Sequence, residues 1–98
     1  MKEKLLAYGF KVTEEDGEEC LIKVISKIGD RFQTRLRYYD NPSVFGSQNQ
    51  IYIDRDFLRG LETIKESDVI NNHNELHSGA KKNWLKFKEE FPEIKSAI

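Results

Sequence analysis

The segment Cys20-Leu21-Ile22-Lys23-Val24-Ile25-Ser26-Lys27-Ile28, followed by Gly29-Asp30-Arg31 and then Phe32-Gln33-Thr34-Arg35-Leu36-Arg37-Tyr38-Tyr39, reads as a β-hairpin. The second arm sets Phe32, Leu36 and Tyr38 on one side and Gln33, Arg35 and Arg37 on the other, the period of a half-buried strand. The first arm is apolar on both sides, so its register against the second decides which face is buried. A two-residue Gly29-Asp30 turn would pair Ile28 with Arg31 and Val24 with Arg35, placing the arginines on the apolar side. A three-residue connection through Arg31 instead opposes Ile28 with Phe32, Ser26 with Thr34, Val24 with Leu36 and Ile22 with Tyr38. A one-residue slip sends every side chain to the other face. Burial therefore favours the second register, or an equivalent bulge, with Cys20, Ile22, Val24 and Ile28 inward.

Working backwards, Glu15-Asp16-Gly17 reads as a three-residue hairpin loop with glycine in the left-handed position. That loop opposes Val12 with Cys20 and Phe10 with Ile22, so three strands share one buried face. Lys2 to Tyr8 reads as a short helix with Leu5 and Leu6 apolar and Gly9 as its left-handed cap. Working forwards, Asp40-Asn41-Pro42-Ser43 is a turn signal, and the polar stretch after it holds one apolar pair, Val44-Phe45. Ile51-Tyr52-Ile53-Asp54 alternates as a fourth strand. Residues 55–66 read as an irregular or short helical connection. Ser67 is the expected N-cap of a helical region, in which Val69, Leu76, Ala80, Trp84, Phe87, Phe91 and Ile94 recur at helical spacing. Ser78-Gly79 favours a break or kink there, because glycine inside a helix costs about 1 kcal/mol relative to alanine. Pro92 disfavours helical geometry at Phe91, and a final turn is expected after it.

These elements predict an α+β fold in one domain over residues 1–98: an antiparallel meander of about four strands, a short N-terminal helix, and a helical C-terminal third packed on one face. The helices are expected to cover Phe10, Val12, Ile22, Val24, Leu36, Ile51 and Ile53, with Trp84, Phe87 and Phe91 as the main insertions. A two-layer sandwich is the simplest way to bury both apolar surfaces.

Ninety-eight residues, 34% of them charged and 38% hydrophobic, suit one soluble globular core. No run approaches the roughly 18 apolar residues of a membrane span, and Met1 to Leu6 lacks the apolar stretch of a signal peptide. The single Cys20 cannot form an internal disulfide and reads as a small core residue, which implies a reducing, cytoplasmic setting. The net charge of −1 is spread in blocks: −3 over residues 1–19, +3 over 20–60, −3 over 61–80 and +2 over 81–98. A near-neutral chain is a poor non-specific nucleic-acid binder, although a local basic face remains open to it.

Three constellations could carry chemistry. His73 and His77 share a helix face at the spacing of zinc ligands. However, Glu75 is two positions after the first histidine, where the metalloprotease pattern requires glutamate directly after it. Asp54-Arg55-Asp56 with Glu62 could hold magnesium, but acids commonly end strands, and no partner base is fixed by the spacing. The expectation is no cofactor, no metal and no catalytic residue, with a small metal-dependent enzyme as the remotest reading. The third constellation is the second face of the sheet, expected to carry Lys11, Leu21, Lys23, Ile25, Lys27, Gln33, Arg35, Arg37, Tyr39 and Tyr52. Basic groups among aromatics suit single-stranded nucleic acid, and Tyr and Arg are equally common protein-interface anchors. The leading expectation is a small protein-binding module of the inhibitor, immunity or accessory kind. It would use Lys23, Ile25, Arg35, Arg37, Tyr39 and Tyr52 on this face, together with Val44 and Phe45 in the 40–50 loop. Single-stranded nucleic-acid binding by the same face is the alternative.

Overall fold

The computed structural model describes residues 1–29, 32–40, 49–57, 60–71 and 78–98. Val44, Phe45, His73 and His77 therefore lie outside the described residues, as do Asp30 and Arg31 of the central turn. The described elements are α1 (Lys2–Ala7), β1 (Lys11–Glu15), β2 (Glu18–Ile28), β3 (Phe32–Tyr38), β4 (Gln50–Phe57), β5 (Gly60–Ile64), α2 (Glu66–Ile70), α3 (Ser78–Glu90) and β6 (Lys95–Ser96). Strands β1 to β5 form an antiparallel meander in chain order. β6 adds to β4 in parallel, so the sheet is mixed and six-stranded among the described residues rather than a four-stranded meander. Residues 60–64, expected in a connection, form β5. After Pro92 the chain returns to the sheet, with Lys95 N–H donating to the Asn49 carbonyl and Ala97 N–H to the Ile51 carbonyl, each at 2.8 Å.

The α1 helix forms where expected, and the helical C-terminal region is divided, with α3 beginning at Ser78. The α2 N-cap position is Lys65, not Ser67, and no side chain caps it.

The first hairpin turns on two residues, not three. Asp16 and Gly17 both have positive φ, +52° and +79°, and Glu15 pairs with Glu18, the signature of an Asp-Gly type I′ turn. The register consequently shifts by one: Thr13 faces Cys20, Val12 faces Leu21 and Lys11 faces Ile22.

In the second hairpin the three-residue connection holds at the tip. Ile28 pairs with Phe32 and Ser26 with Thr34. The ladder then shifts between Val24 and Ser26, and beyond the shift Val24 pairs with Arg35, Lys23 with Leu36, Ile22 with Arg37 and Leu21 with Tyr38. One extra residue in β2 reverses the alternation of everything before it. Leu21 and Ile25 are thereby buried beneath the helices, while Val24, expected inside, is 44% exposed. Val12, also expected inside, is exposed as well. Ile22 and Cys20 lie on the opposite face, in the rows of Arg37 and Thr13.

The inner face packs Leu21, Ile25, Leu36, Tyr38, Ile51, Ile53 and Ile64 against Leu5, Val69, Trp84, Phe87, Phe91 and Ile94. Trp84, Phe87 and Phe91 are fully buried and form a stack along α3, with ring centroids 5.7 and 4.7 Å apart, and Tyr8 meets the last two rings edge-on. The Trp84 indole N–H is satisfied by Glu66 at 3.1 Å, which ties α2 to α3.

Leu36→Ala should lower stability in denaturant melts by about 2–5 kcal/mol, as a buried truncation does. Val24→Ala should change it by only about 0.5 kcal/mol. A larger loss at Val24 than at Leu36 would contradict the shifted register.

Candidate functional site

The outer face, turned away from α1 and α3, is built from alternate residues of five strands. One row across it runs Val24, Arg35, Asp54, Thr63, each directly paired with the next. The adjacent row runs Lys11, Ile22, Arg37, Tyr52. Arginines alternating at 35 and 37 on β3 thus face Asp54 on β4, and a buried ion cluster results.

Asp54 is 2% exposed and accepts from four donors. Arg35 Nε (3.1 Å) and Arg37 Nε (2.8 Å) meet its Oδ2, while Arg37 Nη2 (3.2 Å) and the Thr63 hydroxyl (2.8 Å) meet its Oδ1. Arg35 spends its other two nitrogens on Glu15, at 2.6 and 2.7 Å. Arg37 Nη1 donates to the Tyr39 hydroxyl at 2.6 Å. The Arg37 guanidinium also lies 4.6 Å from the Tyr52 ring centroid and 5.3 Å from that of Tyr39, and the two rings meet edge-on. Two cations and two carboxylates make the cluster neutral and its hydrogen bonding reciprocal, the condition under which buried charge is tolerated. Burial alone would lower both guanidinium pKa values. The hydrogen bonds and charges of Glu15 and Asp54 around Arg35, and of Asp54 and Tyr39 around Arg37, outweigh it, so both are raised.

Glu15 and Arg35 meet across an intervening strand and far along it. Their ladder partners on β2, Glu18 and Val24, are six residues apart, about 20 Å at the usual rise. The β1–β2 ribbon must therefore coil over the outer face, and the coil makes that face concave. Cys20 is buried under the coil, and burial raises its thiol pKa, with Glu15 adding to the shift. The concavity holds a trough of about 490 Å³ floored by Ile22 and Val24 and walled by Lys11, Thr13, Glu15, Lys23 and Arg35 beside Gly9.

The sequence-based site residues separate on the structure. Arg35, Arg37, Tyr39 and Tyr52 come together on the outer face as expected, but the two arginines are engaged by Asp54 and Glu15. Lys23 falls on the inner side of β2, paired with Leu36, and its ammonium reaches round to the Tyr8 ring at 5.5 Å and to the trough wall. Ile25 is not on this face at all: the bulge turns it into the core, 5% exposed. The Asp54, Asp56 and Glu62 set does not assemble, because Asp54 is bound to arginines and Glu62 pairs with Arg55, one residue out of phase with both aspartates. Among the described residues no group of three or more His, Cys, Asp or Glu side chains is placed to hold a metal ion. No described helix is long and apolar enough to cross a membrane. The ion cluster itself was missed in the sequence, although Arg35-x-Arg37 and Asp54-x-Asp56 on successive strands are a readable cross-strand charge pattern. No family model, no curated protein and no solved structure matches the chain.

Asp54→Ala would leave the buried Arg35 with Glu15 alone and the half-buried Arg37 without a carboxylate, and should cost about 3–5 kcal/mol. Lys2→Ala, which removes the exposed Lys2–Glu19 pair, should cost no more than about 1 kcal/mol. Equal losses in the two variants would mean that the Asp54 cluster is screened by solvent rather than buried.

Proposed function

We propose that this chain is a non-enzymatic protein-binding module, of the inhibitor, immunity or accessory kind, that engages its partner through the trough on the outer sheet face. The observation that carries this reading is Val24. It is an aliphatic side chain left 44% exposed at the floor of a concave site, directly beside the buried Arg35 of β3. Around it the walls are stiff, since Arg35 is held at both ends by carboxylates. An apolar centre ringed by polar, preorganised groups is the usual anatomy of a protein interface.

The same geometry weakens the nucleic-acid alternative. A base-stacking, phosphate-binding sheet offers unengaged cations and open ring faces, whereas Arg35 and Arg37 are neutralised within the fold and Arg37 covers Tyr39 and Tyr52. The lone Cys20 suits a reducing cytoplasm as the place of action.

A photo-crosslinking residue placed at Val24 should capture a discrete protein in extract of the source cells, and nuclease treatment should not alter the adduct. The same residue at Leu85, exposed on α3, should not capture it. Equal labelling at both positions would contradict the reading, and adducts removed by nuclease would favour nucleic acid.

A further inference from the structure

The trough does not end at the rim of the outer face. β1 pairs with β2 only as far as Ile22, while β2 continues to Ile28. Among the described residues no strand lies along the β1 side of β2 beyond that point, while β3 continues along the other side to Ile28. A second hollow of about 350 Å³ opens there between β2 and α3, lined by Tyr8, Lys23, Val24, Ile25, Asn83 and Lys86. The two hollows share Lys23 and Val24, so they adjoin across β2, and the pair is called the channel below.

Its charge is one-sided. Among the described residues the only carboxylate lining either hollow is Glu15, and both of its oxygens are taken by Arg35. Among the described residues Lys11, Lys23 and Lys86 make no ion pair, in contrast to Lys2 and Lys88, which do. Glu89 and Glu90, one turn beyond Lys86 on α3, line neither hollow. The channel is therefore a valine floor between three uncompensated ammonium groups in a chain of net charge −1.

Its backbone is guarded. The Asn83 side-chain amide donates to the Ile25 carbonyl, and the bulge interrupts the ladder at the same place. Both devices discourage strand addition, so recognition falls to side chains. Gly9 lines the first hollow, with the Lys23 side chain folded close over it. Its φ is +108°, and a β-carbon there would lie 2.8 Å from the Lys23 ammonium nitrogen.

From this charge complementarity we infer that the occupant is an acidic, extended segment of a partner protein. It lies across β2 at Val24, with its carboxylates on Lys11, Lys23 and Lys86 and an apolar side chain on the valine. The inference rests on the protein-binding reading above and adds the partner's chemistry to it.

Amide NMR of the intact chain, titrated separately with oligo-L-glutamate, oligo-L-lysine and an oligothymidylate of matched charge, tests it. Oligoglutamate should shift the amides of Lys11, Lys23, Val24 and Lys86 together. The effect should fade as salt shortens the screening length from about 10 Å near 0.1 M to about 3 Å near 1 M. Lys11→Glu with Lys86→Glu, both at exposed positions, should weaken binding about tenfold, the scale of two rim ion pairs. Lys65→Glu with Lys95→Glu, at exposed lysines that line neither hollow, should not. The inference is overturned if oligoglutamate shifts are scattered over all the lysines, if oligolysine shifts the same amides, or if oligothymidylate binds the channel more tightly than oligoglutamate. Any of these results combined with retained Val24 crosslinking would remove the acidic partner and leave the protein-binding face standing. Loss of the Val24 crosslink itself would remove both.

Discussion

The extra residue in β2 between Val24 and Ser26 controls the rest of the structure. Near the tip of the hairpin, Ile28 and Ser26 sit opposite Phe32 and Thr34. Had that phase continued, Val24 would enter the core opposite Leu36, and Leu21 and Ile25 would be stranded on the outside. The bulge exchanges them. Leu21 and Ile25 complete the layer against Trp84 and Phe87, Asn83 of α3 satisfies the Ile25 carbonyl, and Val24 comes out beside Arg35. A bulge also increases local twist and bends its strand. The coiled ribbon that brings Glu15 back to Arg35 starts from the same stretch of β2.

The outer face is consequently held by charge, where a second hydrophobic layer would otherwise be needed. A largely antiparallel sheet with helices on one side can leave its other side to water. Here the centre of that side is a closed cluster in which Asp54 bridges two arginines and Glu15 completes the second pair. Such a cluster adds little net stability over apolar packing, but it is costly to break and tolerates few geometries. It fixes the wall of the trough and leaves the lysines beyond it as the groups with charge to offer a partner.

Several parts of this were legible in the sequence. The helical spacing of Trp84, Phe87 and Phe91 located the layer above the sheet and the glycine at position 9 ended the first helix, whereas Ser78-Gly79, expected as a break, forms the first residues of α3. Leu36, Ile51 and Ile53 were read as inward and are. The inverted face of β2 has one cause. Leu21-Ile22-Lys23-Val24-Ile25 is apolar in both phases, so alternation could not choose between them, and the choice is made by contacts with α3 over fifty residues away. Asp16-Gly17 is a strong two-residue turn signal, and adding Glu15 to the loop puts the first strand one residue out. β5 falls within residues 55–66, read as a connection, because Phe57, Leu61 and Ile64 recur at helical rather than alternating spacing. Arg35 and Arg37 were placed on the correct face. Their commitment to Asp54 depends on β3 and β4 being neighbours, which spacing alone does not reveal.

Thiol accessibility measures the bulge and the face it creates most directly. In the folded protein Cys20 is buried and serves as a protected internal reference. Val24→Cys should react with a maleimide at close to the rate of the unfolded chain, while Ile25→Cys, in a variant verified to be folded, should be protected. A reactive Ile25→Cys beside a protected Val24→Cys would place the strand in the opposite phase and contradict both the trough and the function drawn from it.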